Sequence, residues 1–142
     1  MAAVYDLVRS HEIYYADVNQ SVFDVVRLMV EHNIGAVPVL RNGQLVGIFS
    51  ERDLMKRVVA ALLDPRRTRV EEVMTVNPLV VSPNRSLEEC MELMKTHGFR
   101  HLPVADGKKL HGLISLRDLL AYAVVEKDGE VQAMRAYITQ SS

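Results

Sequence analysis

The sequence predicts an α+β fold in which two β-α-β-β-α repeats pack together with pseudo-two-fold symmetry. Residues 21–54 align without a gap on residues 86–119, and twelve of the 34 aligned positions are identical. Both copies end in the same corner, "GIFSERD" at 47–53 and "GLISLRD" at 112–118. A single repeat would leave one apolar sheet face uncovered, so we expect the two copies to share a core.

The first helix of each repeat is predicted by an apolar stripe with helical spacing. Ser21 and Ser86 precede the stripes, where a side-chain oxygen can cap free backbone N–H groups. Asn33 and Gly98 stand where the two helices should end. The stripes are Val22, Val25, Val26 and Met29 in the first copy, and Leu87, Cys90, Met91 and Met94 in the second.

Two short apolar runs follow each helix and predict a β-hairpin. The turn of the first hairpin is predicted at Asn42-Gly43, and Asp106-Gly107 has the same role in the second. A short strand is expected before each copy, "EIYYA" at 12–16 and "PLVVS" at 78–82, and a helix after each hairpin, at 51–63 and 116–127. These elements complete the order β-α-β-β-α in both copies.

The chain divides into five segments on this interpretation. Residues 1–10 form a helical lead-in, 11–63 the first repeat, 64–69 an exposed linker, 70–125 the second repeat and 126–142 a C-terminal helix. The helices after the hairpins are more apolar than one core requires, which predicts a homodimer.

Composition excludes several classes of function. Of the 142 residues 49% are hydrophobic and 25% charged, and the net charge of −1 does not favour nucleic acid or an anionic membrane as a partner. The first residues do not resemble a signal peptide, and a single cysteine fits a reducing compartment. We therefore expect a cytoplasmic protein.

The repeated corner permits two interpretations. Ser50 with Asp53, and Ser115 with Asp118, can form capping boxes that need no ligand. The same geometry suits a nucleotide, because a helix N-terminus attracts phosphate and a carboxylate can accept two sugar hydroxyls. Spacing alone leaves both interpretations open.

The repeat order, the "AVPV" and "HLPV" strands and the two corners together resemble a tandem pair of CBS domains, over about residues 11–125. The resemblance implies a stand-alone regulatory module, often called a Bateman module. Such modules form homodimers and bind AMP, ADP, ATP, NAD or S-adenosylmethionine in clefts between the repeats, with Mg²⁺ where the nucleotide is ATP. A downstream effector, not identified by the sequence, would sense the bound ligand. The alternative is a ligand-free structural or dimerisation module.

The resemblance also implies which residues bind the nucleotide. The corner aspartates would hold the ribose and the corner serines would lie near ribose or phosphate, while the residues before each "PV" strand and those of the leading strands would line the clefts. Arg100 and His101 offer one permanent charge and one titratable group where the first repeat has Gly35 and Ala36, and Arg117 can contribute. The cleft of Asp118 is therefore expected to be well used, and the sequence leaves open whether the Asp53 cleft is occupied, weaker or empty. The full set is Tyr14, Ile34, Gly35, Ala36, Ser50, Asp53, Thr75, Leu79, Phe99, Arg100, His101, Ser115, Arg117 and Asp118.

Other reactive residue types predict no chemistry. Cys90 lies on a buried stripe and is expected to be an inert core thiol. His32 and His97 end helices, where an imidazole suits the carbonyl end of the dipole. No histidine or cysteine has the spacing of a zinc site, and no nucleophile motif occurs. We expect no metal, no catalytic cofactor and no enzyme activity.

Overall fold

The computed structural model describes residues 2–123, so the C-terminal helix predicted at 126–142 lies outside the described residues. The first half contains α1 (Val4–Val8), β1 (Ala16–Asp17), α2 (Val22–His32), β2 (Ala36–Arg41), β3 (Gln44–Ser50) and α3 (Glu51–Asp53), which continues as a π-helix over Leu54–Val59. The second half contains α4 (Val70–Val73), β4 (Thr75–Val76), α5 (Leu87–His97), β5 (His101–Asp106), β6 (Lys109–Ser115) and α6, helical from 116 to the last described residue, 123.

The two halves repeat the same strand pairing. β1 runs parallel to β2 with Ala16 opposite Val39, and β2 and β3 form an antiparallel hairpin. In the second half Val81 bridges Val104 in parallel, at positions that match the first pair, and β5 and β6 form the hairpin. The predicted leading strands are therefore much shorter than expected: two residues in the first copy and a single bridge in the second.

Local capping and turn chemistry follows the sequence closely. The Ser21 and Ser86 hydroxyls accept the N–H groups of residues 24 and 89, and both helices end at a left-handed residue, Asn33 or Gly98. The first hairpin turns at Asn42-Gly43, with positive φ at both residues. The second turns one residue later than predicted, at Gly107-Lys108, because Asp106 still pairs with Lys109.

Each hydrophobic core belongs to one repeat but receives a short helix from the start of the other repeat. We call these starting segments, which run up to β1 and up to Val81, the first lead-in (residues 2–15) and the second lead-in (residues 70–80). Val4 and Val8 of α1 are buried with Leu102 and Ile114 of the second repeat. α4 lies in the core of the first repeat, beside Phe49 and Val58. The lead-in segments thus cross between the repeats and hold them together.

The hairpins also meet each other directly. A small cluster of Leu40, Leu45 and Ala105 joins them, and the Leu45 N–H donates to the Lys108 carbonyl at 3.0 Å. The linker 64–69 exposes its arginines and is anchored to α2, because the Val22 N–H donates to the Thr68 carbonyl at 2.8 Å. Within residues 2–123 no helix is both long and apolar enough to cross a bilayer.

Candidate functional site

An open cleft of about 1160 Å³ lies between the two repeats on the side of the second corner. The lead-in segment, the N-terminal end of β2, the start of α3, the N-terminal end of β5 and the start of α6 surround it. Nine residues predicted from the sequence line this cleft: Tyr14, Ile34, Gly35, Ala36, Arg100, His101, Ser115, Arg117 and Asp118.

The second corner lines the cleft with Ser115 and Asp118. The Ser115 backbone N–H donates to Asp118 Oδ2 at 3.1 Å, and the Asp118 N–H donates to Ser115 Oγ at 3.0 Å. These two bonds form the predicted capping box at the start of α6. Among the residues that the structure describes, none donates a hydrogen bond to Asp118 Oδ1, so this oxygen can accept one from a ligand.

The first corner is closed by the protein itself. The Ser50 N–H donates to Asp53 Oδ2 at 3.0 Å, and the Thr75 hydroxyl donates to Asp53 Oδ1 at 3.1 Å. Arg57 Nε lies 3.6 Å from the same Oδ1 and its Nη1 donates to the Met74 carbonyl. Asp53 is only 7% exposed, so both of its oxygens are already engaged inside the protein.

The lead-in segments explain why the two corners differ. β4 pairs with β3, and a Cβ on Gly47 would lie only 2.8 Å from the Thr75 carbonyl oxygen. Thr75 is thereby held over Asp53. Ser10 occupies the matching position in the first lead-in, but its hydroxyl donates to the Leu7 carbonyl at 3.3 Å. Within residues 2–123 no strand pairs with β6 as β4 pairs with β3, and no side chain closes the Asp118 corner in the way that Thr75 closes the Asp53 corner.

Five predicted residues lie outside the open cleft. Ser50, Asp53 and Thr75 form the closed corner just described. Leu79 is 38% exposed in the segment before Val81. Phe99 stacks on His97 with ring centroids 5.4 Å apart.

The two basic residues of the second repeat differ in environment. Arg100 is exposed, whereas His101 is half-buried in the cleft. Burial lowers the pKa of His101 below its ordinary value of 6.5, although the carboxylates of Glu51 and Asp118 raise it and Arg100 lowers it further. Burial therefore favours the neutral imidazole of His101, a hydrogen-bonding group, over the cation.

Tyr14 provides an aromatic surface on the wall formed by the lead-in segment. Its ring stacks on the His32 imidazole with centroids 3.9 Å apart, and its hydroxyl donates to Glu12 at 2.7 Å. That hydrogen bond is the main reason why the pKa of Tyr14 is raised. His32 thus packs against the Tyr14 ring in the cleft wall, in addition to ending α2.

Glu12 and Glu51 were not predicted as site residues, yet both line the cleft. The sequence carried a signal for Glu51, because it stands in the duplicated corner opposite Leu116 of the second copy. A charged residue aligned with an apolar one at the repeated corner makes the two copies differ in charge at that position. Glu12 had no such signal, since residues 1–20 lie outside the aligned repeat.

The prediction for Cys90 agrees with the structure. The side chain is fully buried on α5, and desolvation raises the pKa of the thiol to about 11. Within residues 2–123 the structure brings together no group of three side chains that could hold a metal ion.

Comparison with known proteins identifies the repeat. The sequence model of one family, the CBS domain, matches residues 4–60 and 70–125. A mitochondrial CBS domain-containing protein of Arabidopsis thaliana, CBSX3, is 34% identical over 125 residues; the match covers 84% of this chain and 61% of that protein.

Solved structures agree with the fold. A CBS-domain protein from Burkholderia ambifaria MC40-6 is 40% identical with a TM-score of 0.81, covering 87% of this chain and 95% of the other. CBSX2, crystallised in complex with AMP, is 27% identical with a TM-score of 0.77, covering 89% and 99% of the two chains.

Proposed function

The chain belongs to the CBS domain family, and on that premise we propose that it is a regulatory module that binds one adenine nucleotide between its repeats. The Asp118 cleft is the proposed site. The observation that carries the proposal is that Asp118 lines a cleft of about 1160 Å³ and that none of the described residues donates a hydrogen bond to its Oδ1. That volume exceeds what a drug-sized ligand needs, so a nucleotide fits.

Different residues of the cleft contact the ribose, the phosphate and the adenine ring. Asp118 Oδ1 accepts a ribose hydroxyl, and the Ser115 hydroxyl lies at the same corner. The N-terminus of α6 and the guanidinium groups of Arg100 and Arg117 face the phosphate. Tyr14 and Ile34 provide flat and apolar surface for the adenine ring. AMP, ADP, ATP and NAD share these groups, and Mg²⁺ would accompany ATP only.

The closed first corner supports a stoichiometry of one ligand per chain. A nucleotide at Asp53 would have to displace the Thr75 hydroxyl and separate β4 from β3. The CBSX2 complex with AMP shows that a protein of this fold takes an adenine nucleotide. These observations favour the Asp118 cleft as the functional site of this chain.

Regulation requires that the ligand favour one arrangement of the module over another. Residues after the two corners are exposed and apolar, and they supply a surface for a homodimer through which an effector protein can sense that arrangement. They are Met55, Val59, Leu62, Leu63 and Leu120. We propose that the protein acts in the cytoplasm, by binding and not by catalysis, as the regulatory character of its family suggests.

A ligand-free structural module is the second candidate. The capping boxes at both corners favour it, because they explain the two serines and two aspartates without any ligand. This candidate predicts that no adenine nucleotide alters the stability of the protein.

Thermal unfolding and titration calorimetry distinguish the two functions. AMP, ADP, ATP, NAD and S-adenosylmethionine are each added to the whole chain. A ligand at about a hundred times its Kd adds about 2.7 kcal/mol to the free energy of unfolding and raises Tm by several degrees. We expect such a shift with one ligand bound per chain. Flat heats and an unchanged Tm with all five compounds would contradict the proposal and support the structural module.

A further inference from the structure

Among the residues that the structure describes, the lining of the Asp118 cleft has no excess of positive charge. Three carboxylates line it, those of Glu12, Glu51 and Asp118, against the two guanidinium groups of Arg100 and Arg117. His101 adds no third permanent charge, because its burial opposes protonation. A site for a long polyphosphate normally collects an excess of positive charge, and this cleft does not have one.

Glu51 is a carboxylate of the cleft wall that lies beside His101. It begins α3, and its backbone N–H donates to the Gly35 carbonyl at 3.0 Å. A Cβ on Gly35 would lie 3.4 Å from Glu51 Oε1 and 3.5 Å from His101 Cε1, so the two side chains pack against the same glycine. Among the charged neighbours of His101, Glu51 has the largest effect on its pKa.

The second repeat has a different residue at the equivalent position. Leu116 begins α6, and its N–H donates to the Arg100 carbonyl at 2.8 Å, as the Glu51 N–H does to Gly35. Leu116 lines the same cleft. The matching backbone hydrogen bonds therefore place Glu51 and Leu116 at equivalent positions in the cleft wall. Only the first repeat introduces a negative charge at this position.

On the basis of the proposed function, we infer that the Asp118 cleft selects adenosine ligands with one phosphate over those with three, and that Glu51 is the residue that discriminates. AMP carries about two negative charges at neutral pH and free ATP about four. Arg100 and Arg117 can neutralise the first phosphate. Because Glu51 and His101 both line the cleft and pack on Gly35, further phosphates that pass His101 would approach Glu51, where like charges repel.

The test compares affinities for AMP and ATP by titration calorimetry, with EDTA present so that ATP keeps its full charge. The wild-type chain is expected to bind AMP at least about tenfold more tightly than ATP. Glu51→Gln keeps the size of the side chain and its place in α3, and is expected to reduce the ratio to within about threefold, mainly by strengthening ATP binding. Glu92→Gln removes an exposed carboxylate of α5 that does not line the cleft, and should leave the ratio unchanged.

The outcomes separate this inference from the function on which it rests. If AMP binds but ATP binds as tightly, or if Glu51→Gln and Glu92→Gln give the wild-type ratio, the selection by Glu51 is wrong and the nucleotide-binding function stands. If neither nucleotide binds the wild-type chain, both the function and the inference fail. Far-UV circular dichroism of each variant confirms that the fold is kept.

Discussion

The Thr75 hydroxyl donates a hydrogen bond to Asp53 Oδ1 at 3.1 Å, although the two residues are 22 positions apart and belong to different repeats. The bond joins the second lead-in to the first corner. Asp118, the counterpart of Asp53, has no such partner among the described residues, because Ser10 turns its hydroxyl to Leu7. The same local motif is thus closed in one repeat and open in the other.

Replacing each corner aspartate by asparagine should separate their roles. Asp118→Asn keeps an oxygen for the Ser115 N–H but removes the charged acceptor for ribose, and we expect AMP affinity to fall by tenfold or more, or about 1.4 kcal/mol. Asp53→Asn is the matched control. It should leave AMP affinity within about twofold while lowering stability, because the contact with Arg57 is lost.

For both variants, titration calorimetry with AMP measures the change in affinity, and urea unfolding measures the change in stability. Equal losses of affinity at the two positions would show that both corners bind AMP. That result would contradict the proposed stoichiometry of one ligand per chain.

Removing the Thr75 hydroxyl should weaken the contact between the repeats. Thr75→Val keeps the shape of the side chain but leaves the buried Asp53 Oδ1 without its hydroxyl donor, and should cost about 1–3 kcal/mol in the free energy of unfolding. Ser10→Ala is the matched change in the first lead-in and should cost less than about 0.5 kcal/mol, because the hydroxyl is exposed. Urea unfolding monitored by circular dichroism gives the free energy of unfolding of both variants. A similar loss of stability for the two variants would contradict the proposed difference between the closed Asp53 corner and the open Asp118 corner.

Acidification should destabilise the ligand-free protein through His101. Its pKa in the native state is depressed by burial, so the native imidazole resists a proton that the unfolded chain accepts below about pH 6.5. Stability that is fully present above that pH is therefore lost as the pH falls through the native pKa of His101. Glu51 and Asp118 reduce this effect and Arg100 increases it.

The measurement compares urea unfolding of wild type and His101→Gln between about pH 7.5 and 5.5. His101→Gln should lose less stability over this range than wild type, whereas a control at the exposed His11, His11→Gln, should follow wild type. Identical pH profiles for wild type and His101→Gln would mean that the pKa of His101 is the same in the native and the unfolded state, contrary to the prediction.

Cys90 should be almost inert toward thiol reagents in the folded protein. With a pKa of about 11, its thiolate fraction at pH 8 is on the order of a hundredfold lower than that of an ordinary thiol, and the buried position restricts access as well. Reaction with a colorimetric disulfide reagent should become fast only in urea. Rapid labelling of the native chain would contradict the assignment of Cys90 to the buried face of α5.

The sequence alone determines the local structure of this protein, because caps, turns and helix stripes depend on residues a few positions apart. Ser21, Asn33 and Asn42-Gly43 behave as predicted, and so do the capping boxes at Ser50 and Ser115. The duplication also gives the order of elements in both repeats, and the resemblance to CBS domains implies nine residues that line one cleft.

Only the tertiary structure decides which corner is open. That outcome depends on the crossing of the lead-in segments, which places Thr75 on Asp53 and Val8 beside Gly112. Contacts between segments so far apart in the chain leave no periodic or local signal in the sequence. The repeat alignment distinguishes Glu51 from Leu116, but only the tertiary structure places Glu51 in the cleft, where α3 meets Gly35 and His101.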